Sequence, residues 1–348
     1  MTSFARPEIQ AITGYTPGEQ PQQGEFIKLN TNENPYPPSP QVREAVLKAL
    51  DRLPLYPDPL AWEFRRAAGQ VLGVPPEWIL CGNGSDDILT ILTRTCVGQG
   101  QWVRYPYPSY VLYRTLAQLQ GAYFEEVPFR PDWSLPEEFT APRSGLRLVY
   151  LANPNSPSGT VLAPEQVADL ARRLPCPLLV DEAYVDFAQT HCLELVRKCQ
   201  NVLVSRSMSK SYALAGVRFG FVVAQPQLIA QLAKVKDSYN CDVLSIAAAT
   251  AAIQDQAWLE QTRSRILATR ERMTRRLQAL GFEVTPSQAN FLWCHHPDHE
   301  SRRLYEELKR ARILVRYLEY RDWPPGLRIS VGTDEQVDQC LDQLARLV

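Results

Sequence analysis

Between residues 78 and 224 the chain alternates short, nearly unbroken apolar runs with stretches of helical period. The runs cover 78–81, 102–105, 146–151, 177–180, 202–205 and 219–224. Runs that short and that apolar have no solvated face, so they read as strands buried on both sides. Helical spacing between them, as over 164–174, supplies the crossovers that parallel strands need. The pattern predicts an α/β domain: a mostly parallel central sheet flanked by helices, with ligands at the carboxyl ends of its strands. Ahead of it, LNTNENPYPP at 29–38 holds too many turn formers for a helix. Ser39 then caps a helix with Pro40 in its first turn. Past about 239 the pattern changes. A long helix over about 255–280 precedes short strands at 282–284, 290–294, 313–316 and 327–331, and Thr333 with Gln336 makes a capping box for a last helix. That reads as a smaller α+β domain. The expected division is an arm at 1–35, a large domain at 36–245, with 36–52 free to pack on the small domain, and a small domain at 246–348. A chain of 348 residues is long enough for both cores.

Composition excludes several function classes. The formal net charge is −1, so no global field draws the chain to nucleic acid or to a membrane. Arg263, Arg265, Arg270, Arg272, Arg275 and Arg276 are interleaved with acids and read as a solvated helix face. The longest weakly polar run, 243–253, is too short to cross a bilayer. The eight cysteines are scattered with no Cys-x-x-Cys pair, and the first residues lack a basic region followed by an apolar core. A cytoplasmic protein with reduced thiols is expected. His295, His296 and His299 have no second ligand set of matching spacing, so no metal is expected.

The chemistry concentrates after the apolar runs. SRSMSKSYALAGVRFG at 205–220 sets Lys210 among Ser205, Ser207, Ser209 and Ser211, with Arg218 eight residues on. A lysine beside a buried strand is partly desolvated and easily deprotonated, as a Schiff-base lysine must be. Hydroxyls and a guanidinium around it suit a phosphate. Pyridoxal phosphate asks for that combination; a strand-to-loop turn with a solvated lysine is the plainer alternative. CGNGSDD at 81–87 reads as an anion cradle at a helix start or as an ordinary turn. Asp181 closes a buried strand, where a carboxylate would keep a pyridine nitrogen protonated, and Tyr184 is in reach of the ring oxygen. Two prolines in NPNSPSG at 153–159 fix a rigid loop. Tyr110 offers a ring for stacking. Arg316 and Arg328 on strands of the small domain could bind a carboxylate or phosphate.

In order, LNTNENPYPPSP, YPD, GNGSDD, YPSY, NPNSPSG, DEAYVDF, SRSMSKSYALAGVRFGF and LRISVGT resemble the motifs of the fold-type I pyridoxal-phosphate-dependent aminotransferases, and most closely the histidinol-phosphate aminotransferase family. The resemblance covers nearly the whole chain. It implies a homodimer with shared active sites. Lys210 would carry the cofactor and act as catalytic base, Asp181 would pair with the ring nitrogen, Tyr184 would approach the ring oxygen and Tyr110 would stack on the ring. Ser207, Ser209, Arg218 and the amides of Ser85 and Asp86 would hold the phosphate, with Tyr56 reaching in from the partner. Tyr15, Arg316 and Arg328 would face the substrate. Ser156 departs from the asparagine usual at that place, so Ser156, Asn155 or a water would bond the ring oxygen. The implied reaction takes L-histidinol phosphate and 2-oxoglutarate to imidazole-acetol phosphate and L-glutamate in histidine biosynthesis. The alternatives are an aromatic or broad-range aminotransferase and a threonine-phosphate decarboxylase.

Overall fold

In the computed structural model, which describes residues 4–14, 18–20 and 24–348, the apolar runs become strands whose successive residues face opposite cores. Leu178 and Val180 point to one side of the sheet and Leu179 to the other; Val202, Val204 and Leu203 divide the same way. Period two in a strand, buried on both sides, produces that split.

The chain opens with α1 (Pro7–Gln10) and β1 (Ile27–Lys28), followed by α2 (Pro40–Ala49) and α3 (Trp62–Leu72). The large sheet is then laid down by β2 (Ile79–Gly82), α4 (Ser85–Cys96), β3 (Trp102–Tyr107), α5 (Leu112–Leu119), β4 (Tyr123–Pro128), β5 (Leu146–Ala152), α6 (Pro164–Arg173), β6 (Leu178–Asp181), α7 (Leu195–Lys198), β7 (Val202–Ser207) and β8 (Gly220–Val223). Its order is β2-β8-β7-β6-β5-β3-β4. Strand β8 runs antiparallel to β2 and β7, and the remaining pairs are parallel. Helices α8 (Pro226–Val235) and α9 (Val243–Gln254) follow.

The small sheet is antiparallel, ordered β12-β13-β10-β9. It comprises β9 (Glu283–Val284), β10 (Phe291–His295), β12 (Arg316–Leu318) and β13 (Gly326–Ser330), packed with α10 (Gln256–Ala279), α11 (Ser301–Arg310) and α12 (Asp334–Leu344). Thr333 caps α12 in a box with Gln336. Strand β11 (Ile313–Leu314) leaves this sheet and pairs in parallel with β1.

Three expectations change. The arm is not wholly irregular, since β1 joins the small domain's strand β11. The expected break at 245 falls inside α9, whose Ile246, Ala248, Ala249 and Ile253 share a core with the large sheet. Helix α2 packs on that same helix rather than on the small domain, with Val42, Ala45 and Val46 in the large core. The change of core comes within α10, where Met273 and Leu277 turn to the small sheet.

Candidate active site

The carboxyl ends of β2, β3, β5, β6 and β7 open on one cavity of about 690 Å³. They bring Ser85, Asp86, Tyr110, Ser156, Asp181, Tyr184, Ser207, Ser209 and Lys210 to its wall. Arg218 precedes its strand rather than following it. Because β8 is antiparallel, its amino end lies with the carboxyl ends of its neighbours, and Arg218 lines the same cavity. Arg316 and Arg328 complete the wall from the small domain.

Lys210 lies just past β7 and is half-buried. Its Nζ donates to the Thr31 carbonyl at 3.2 Å and stands 5.7 Å from the centre of the Tyr184 ring. Asn34 Nδ2 donates to the carbonyls of Lys210 and Ser211 at 3.1 and 2.9 Å, fixing the turn that carries the lysine. The amine is thus aimed into the cavity by backbone and by a segment far away in sequence.

Asp181 is buried at the end of β6. Tyr113 Oη donates to its Oδ2 at 2.8 Å; Ser205 Oγ and the Ala183 amide donate to Oδ1, each at 3.3 Å. Burial pushes its carboxyl up to about 6, and the nearby Asp86 adds to the rise, while those hydrogen bonds oppose it. A carboxylate poised there readily shares a proton with a basic ring nitrogen.

Another part of the cavity wall suits an anion. Gly84 caps α4 at φ 81°, and a Cβ there would come within 2.5 Å of the Arg218 guanidinium. A Cβ on Gly220 would stand 2.5 Å from the Ser85 nitrogen. Two glycines therefore let a helix start, a strand start and an arginine converge. Arg218 itself is left-handed at φ 56° and contacts Ser209 Oγ, the Ala215 carbonyl and Asp86 Oδ2. Ser207 Oγ accepts the Ser209 amide at 3.2 Å. Tyr110 Oη donates to Asp86 Oδ1 at 3.0 Å. Proton-sharing carboxylate, lysine and anion cradle in one cavity fit the expected pyridoxal phosphate.

Arg316 and Arg328 are direct partners in the β12–β13 register and so share a face. Arg328 donates to Ser156 Oγ at 3.0 Å and to the Asn30 carbonyl at 3.1 Å, while its buried Nε has no hydrogen-bond partner among the described residues. A buried N–H left over on a cavity wall is a donor in want of a ligand.

Three expected residues stand apart. Asn155 is buried in its loop, where its amide holds the Pro108 carbonyl and Ser158 and accepts from Ser109; Ser156 lines the cavity instead. Tyr56 is 81% exposed, stacks on Tyr239 and does not reach this cavity. Tyr15 lies outside the described residues. Sequence reasoning missed Thr31, Asn32 and Asn34, although it singles out their segment, and also Tyr113; it names Ser205 only among the hydroxyls around Lys210 and not as a partner of Asp181. Ser205 was detectable in principle, since it ends the strand that neighbours Asp181's. Among the described residues no cluster could hold a metal, and no helix is long and apolar enough to cross a membrane.

The sequence model of the family described as aminotransferase class I and II matches residues 24–344. The chain is 56% identical to a histidinol-phosphate aminotransferase of Rhodopirellula baltica, over 98% of this chain and 95% of that protein. It is 46% identical to histidinol-phosphate aminotransferase 1 of Trichormus variabilis, over 97% and 96%. A solved histidinol-phosphate aminotransferase from Sinorhizobium meliloti, in complex with pyridoxal-5'-phosphate, superposes with a TM-score of 0.91 at 26% identity, covering 100% of this chain and 99% of that one. A Thermus thermophilus aspartate aminotransferase double mutant shares the fold, with a TM-score of 0.83 at 20% identity.

Proposed function

The chain belongs to the class I and II aminotransferases, and on that premise we propose that it moves the amine of L-histidinol phosphate to 2-oxoglutarate, giving imidazole-acetol phosphate and L-glutamate in histidine biosynthesis. One observation carries the substrate reading: Arg316 and Arg328, paired across β12 and β13, face the cavity that holds Lys210. Two guanidiniums on the wall of the cavity that holds the reacting amine suit a substrate that carries a phosphate. The same pair takes a carboxylate of the acceptor, so one site serves both substrates in turn.

When bound, pyridoxal phosphate supplies a carbonyl carbon that takes the amine and a ring that withdraws electrons from the substrate's Cα–H bond. Ser85, Asp86, Ser207, Ser209 and Arg218 would hold its phosphate, Asp181 the proton on its ring nitrogen, Tyr184 its ring oxygen, and Tyr110 a face of the ring. Lys210 Nζ is the group placed to take the proton from substrate Cα and to give it back on the far side of the transfer. Thr31 and Asn34 orient that amine, and Tyr113 and Ser205 hold the Asp181 carboxylate in place.

We further infer a cytoplasmic homodimer. Leu47, Leu53, Leu55, Tyr56 and Tyr239 are all exposed. Exposed apolar groups gathered near one segment are what a second copy covers. Tyr56 of one chain would then reach the partner's cofactor phosphate. The eight free cysteines support a reducing compartment.

A second reading, an aromatic amino-acid aminotransferase, draws on Leu318 and Tyr320, which put an apolar and an aromatic side chain on the cavity wall beside Arg316. Measuring kcat/KM for histidinol phosphate, phenylalanine and tyrosine with 2-oxoglutarate as acceptor separates the two. Histidinol phosphate should lead by at least about a hundredfold, the worth of two charge-assisted contacts. A lead for phenylalanine or tyrosine would overturn the assignment.

A further inference from the structure

Asn32 is 1% exposed and adopts φ 57°. A buried non-glycine residue holds that left-handed conformation where its surroundings fix it. Its backbone N–H donates to Ser330 Oγ at 2.8 Å, and its carbonyl accepts from Asn290 Nδ2 at 3.1 Å. Its side-chain Oδ1 accepts from Ser330 Oγ at 2.9 Å. What remains is the amide Nδ2, which donates to Tyr184 Oη at 3.1 Å.

Ser330 sets the direction of that last bond. A serine hydroxyl has one proton to give. Its oxygen already receives the Asn32 backbone N–H, and its own proton goes to Asn32 Oδ1. The NH2 end of the amide is therefore left facing Tyr184. A phenol that receives an N–H keeps its own proton for a second partner, and Tyr184 borders the cavity.

We propose that Asn32 is a positioning residue which, through Tyr184, directs the phenolic proton at the ring oxygen of the bound cofactor. The proposal rests on the reading that Tyr184 faces that oxygen. It gives a use to a segment whose asparagines and threonine otherwise read as turn formers. It also ties the cofactor to the substrate wall, because Ser330 lies two residues beyond Arg328 on β13, on the same face of the strand.

The test reads the colour of the holoenzyme, not its turnover. A hydrogen bond donated to the ring oxygen weakens that oxygen's hold on the proton of the nitrogen joining Lys210 to the cofactor. That nitrogen then loses its proton at lower pH. The pH midpoint of the visible band reports the change. Tyr184→Phe removes the donor, and its midpoint should rise by on the order of one pH unit. Asn32→Gly deletes the amide while suiting the left-handed backbone; its midpoint should rise in the same direction by a comparable amount. In the double variant Tyr184→Phe/Asn32→Gly the rise should equal that of Tyr184→Phe alone. Ser330→Ala frees the Asn32 amide to turn over, so that Oδ1 takes the phenolic proton, and this midpoint too should rise. Of the charged groups among the described residues, Lys210 stands over the Tyr184 ring, Arg328 lies over the ring of Phe291, which meets Tyr184 edge-on, and Asp181 and Glu33 line the same cavity. None of these substitutions replaces them. If Tyr184→Phe moves the midpoint while Asn32→Gly and Ser330→Ala do not, the role of Asn32 is refuted and that of Tyr184 stands. Additive shifts in the double variant refute it as well, by showing that Asn32 acts elsewhere. An unmoved midpoint in Tyr184→Phe removes the reading of Tyr184 and this proposal together.

Discussion

Asp181 is costly to the fold, and the proposed chemistry has a use for it. Its carboxyl is pushed up to about 6 by burial, against about 3.9 for an unfolded aspartate. Between those values the folded chain binds more protons than the unfolded one, so the cofactor-free protein loses stability as pH rises through that window. The loss is on the order of 3 kcal/mol once the window is passed. Asp181→Asn carries no such charge. Urea melts of the two cofactor-free proteins should show the variant gaining about that amount on wild type between about pH 4 and about pH 7. Its affinity for pyridoxal phosphate should fall at the same time. Melts that differ by a constant amount at both pH values would mean that Asp181 does not titrate in this window. Arg316 makes a separate case. Arg316→Ala should raise KM for histidinol phosphate more than for histidinol, by about 2–3 kcal/mol for a lost charge-assisted contact. Equal losses for the two substrates would remove Arg316 from the phosphate.

At the scale of elements, the anion cradle depends on how closely β8 approaches the start of α4. Gly220 begins β8, and its missing Cβ leaves room for the Ser85 nitrogen and the Gly84 carbonyl carbon, which a methyl would meet at 2.5 and 2.7 Å. Both are backbone atoms that have no rotamer to escape into. Gly220→Ala should therefore keep the far-ultraviolet circular dichroism of wild type while weakening cofactor binding by about tenfold or more, since about 1.4 kcal/mol of misplaced contact suffices. Equilibrium dialysis against pyridoxal phosphate checks it, and an unchanged Kd would show that the helix start does not hold the phosphate. The strands feeding this cradle were legible in the sequence because they are apolar on both faces. Strand β4 was not. Its Tyr-Phe-Glu-Glu-Val-Pro carries two acids, because it forms the sheet edge and its glutamates serve Arg104, Arg143 and Arg114. The expected strand over 313–316 is likewise two short ones. Leu314 pairs with the arm at Lys28, and Arg316 pairs with Arg328 across the small sheet. No periodicity in so few residues announces a change of partner.

At the scale of the whole molecule, the legible and the hidden parts of the site divide by how each residue acts. That Lys210, Asp181, Ser207, Ser209 and Arg218 line one cavity could be read ahead of the structure because they follow or precede apolar runs, and the cavity lies where those runs end. Thr31, Asn32 and Tyr113 bond the residues around them: Lys210, Tyr184 and Asp181. The Asn32–Ser330 contact spans 298 positions, a distance over which no local pattern speaks. The proposed dimer completes the site at this scale. With Tyr56 exposed and outside its own chain's cavity, unfolding and refolding inactive Tyr56→Asp with inactive Lys210→Ala should restore activity. Random pairing places about half the chains in heterodimers, where one site carries both lesions and the other neither. A mixture that stays inactive would exclude a shared site. The central claim is that an amine passes through a site built on Lys210, and one half of the reaction tests it most directly. Holoenzyme mixed with L-histidinol phosphate and no acceptor should release one imidazole-acetol phosphate per chain and retain its amine, which 2-oxoglutarate should then carry off as glutamate. Lys210→Ala should do neither at a comparable rate. Wild-type holoenzyme that yields no ketone, or that releases carbon dioxide from threonine phosphate while retaining no amine, would contradict the account.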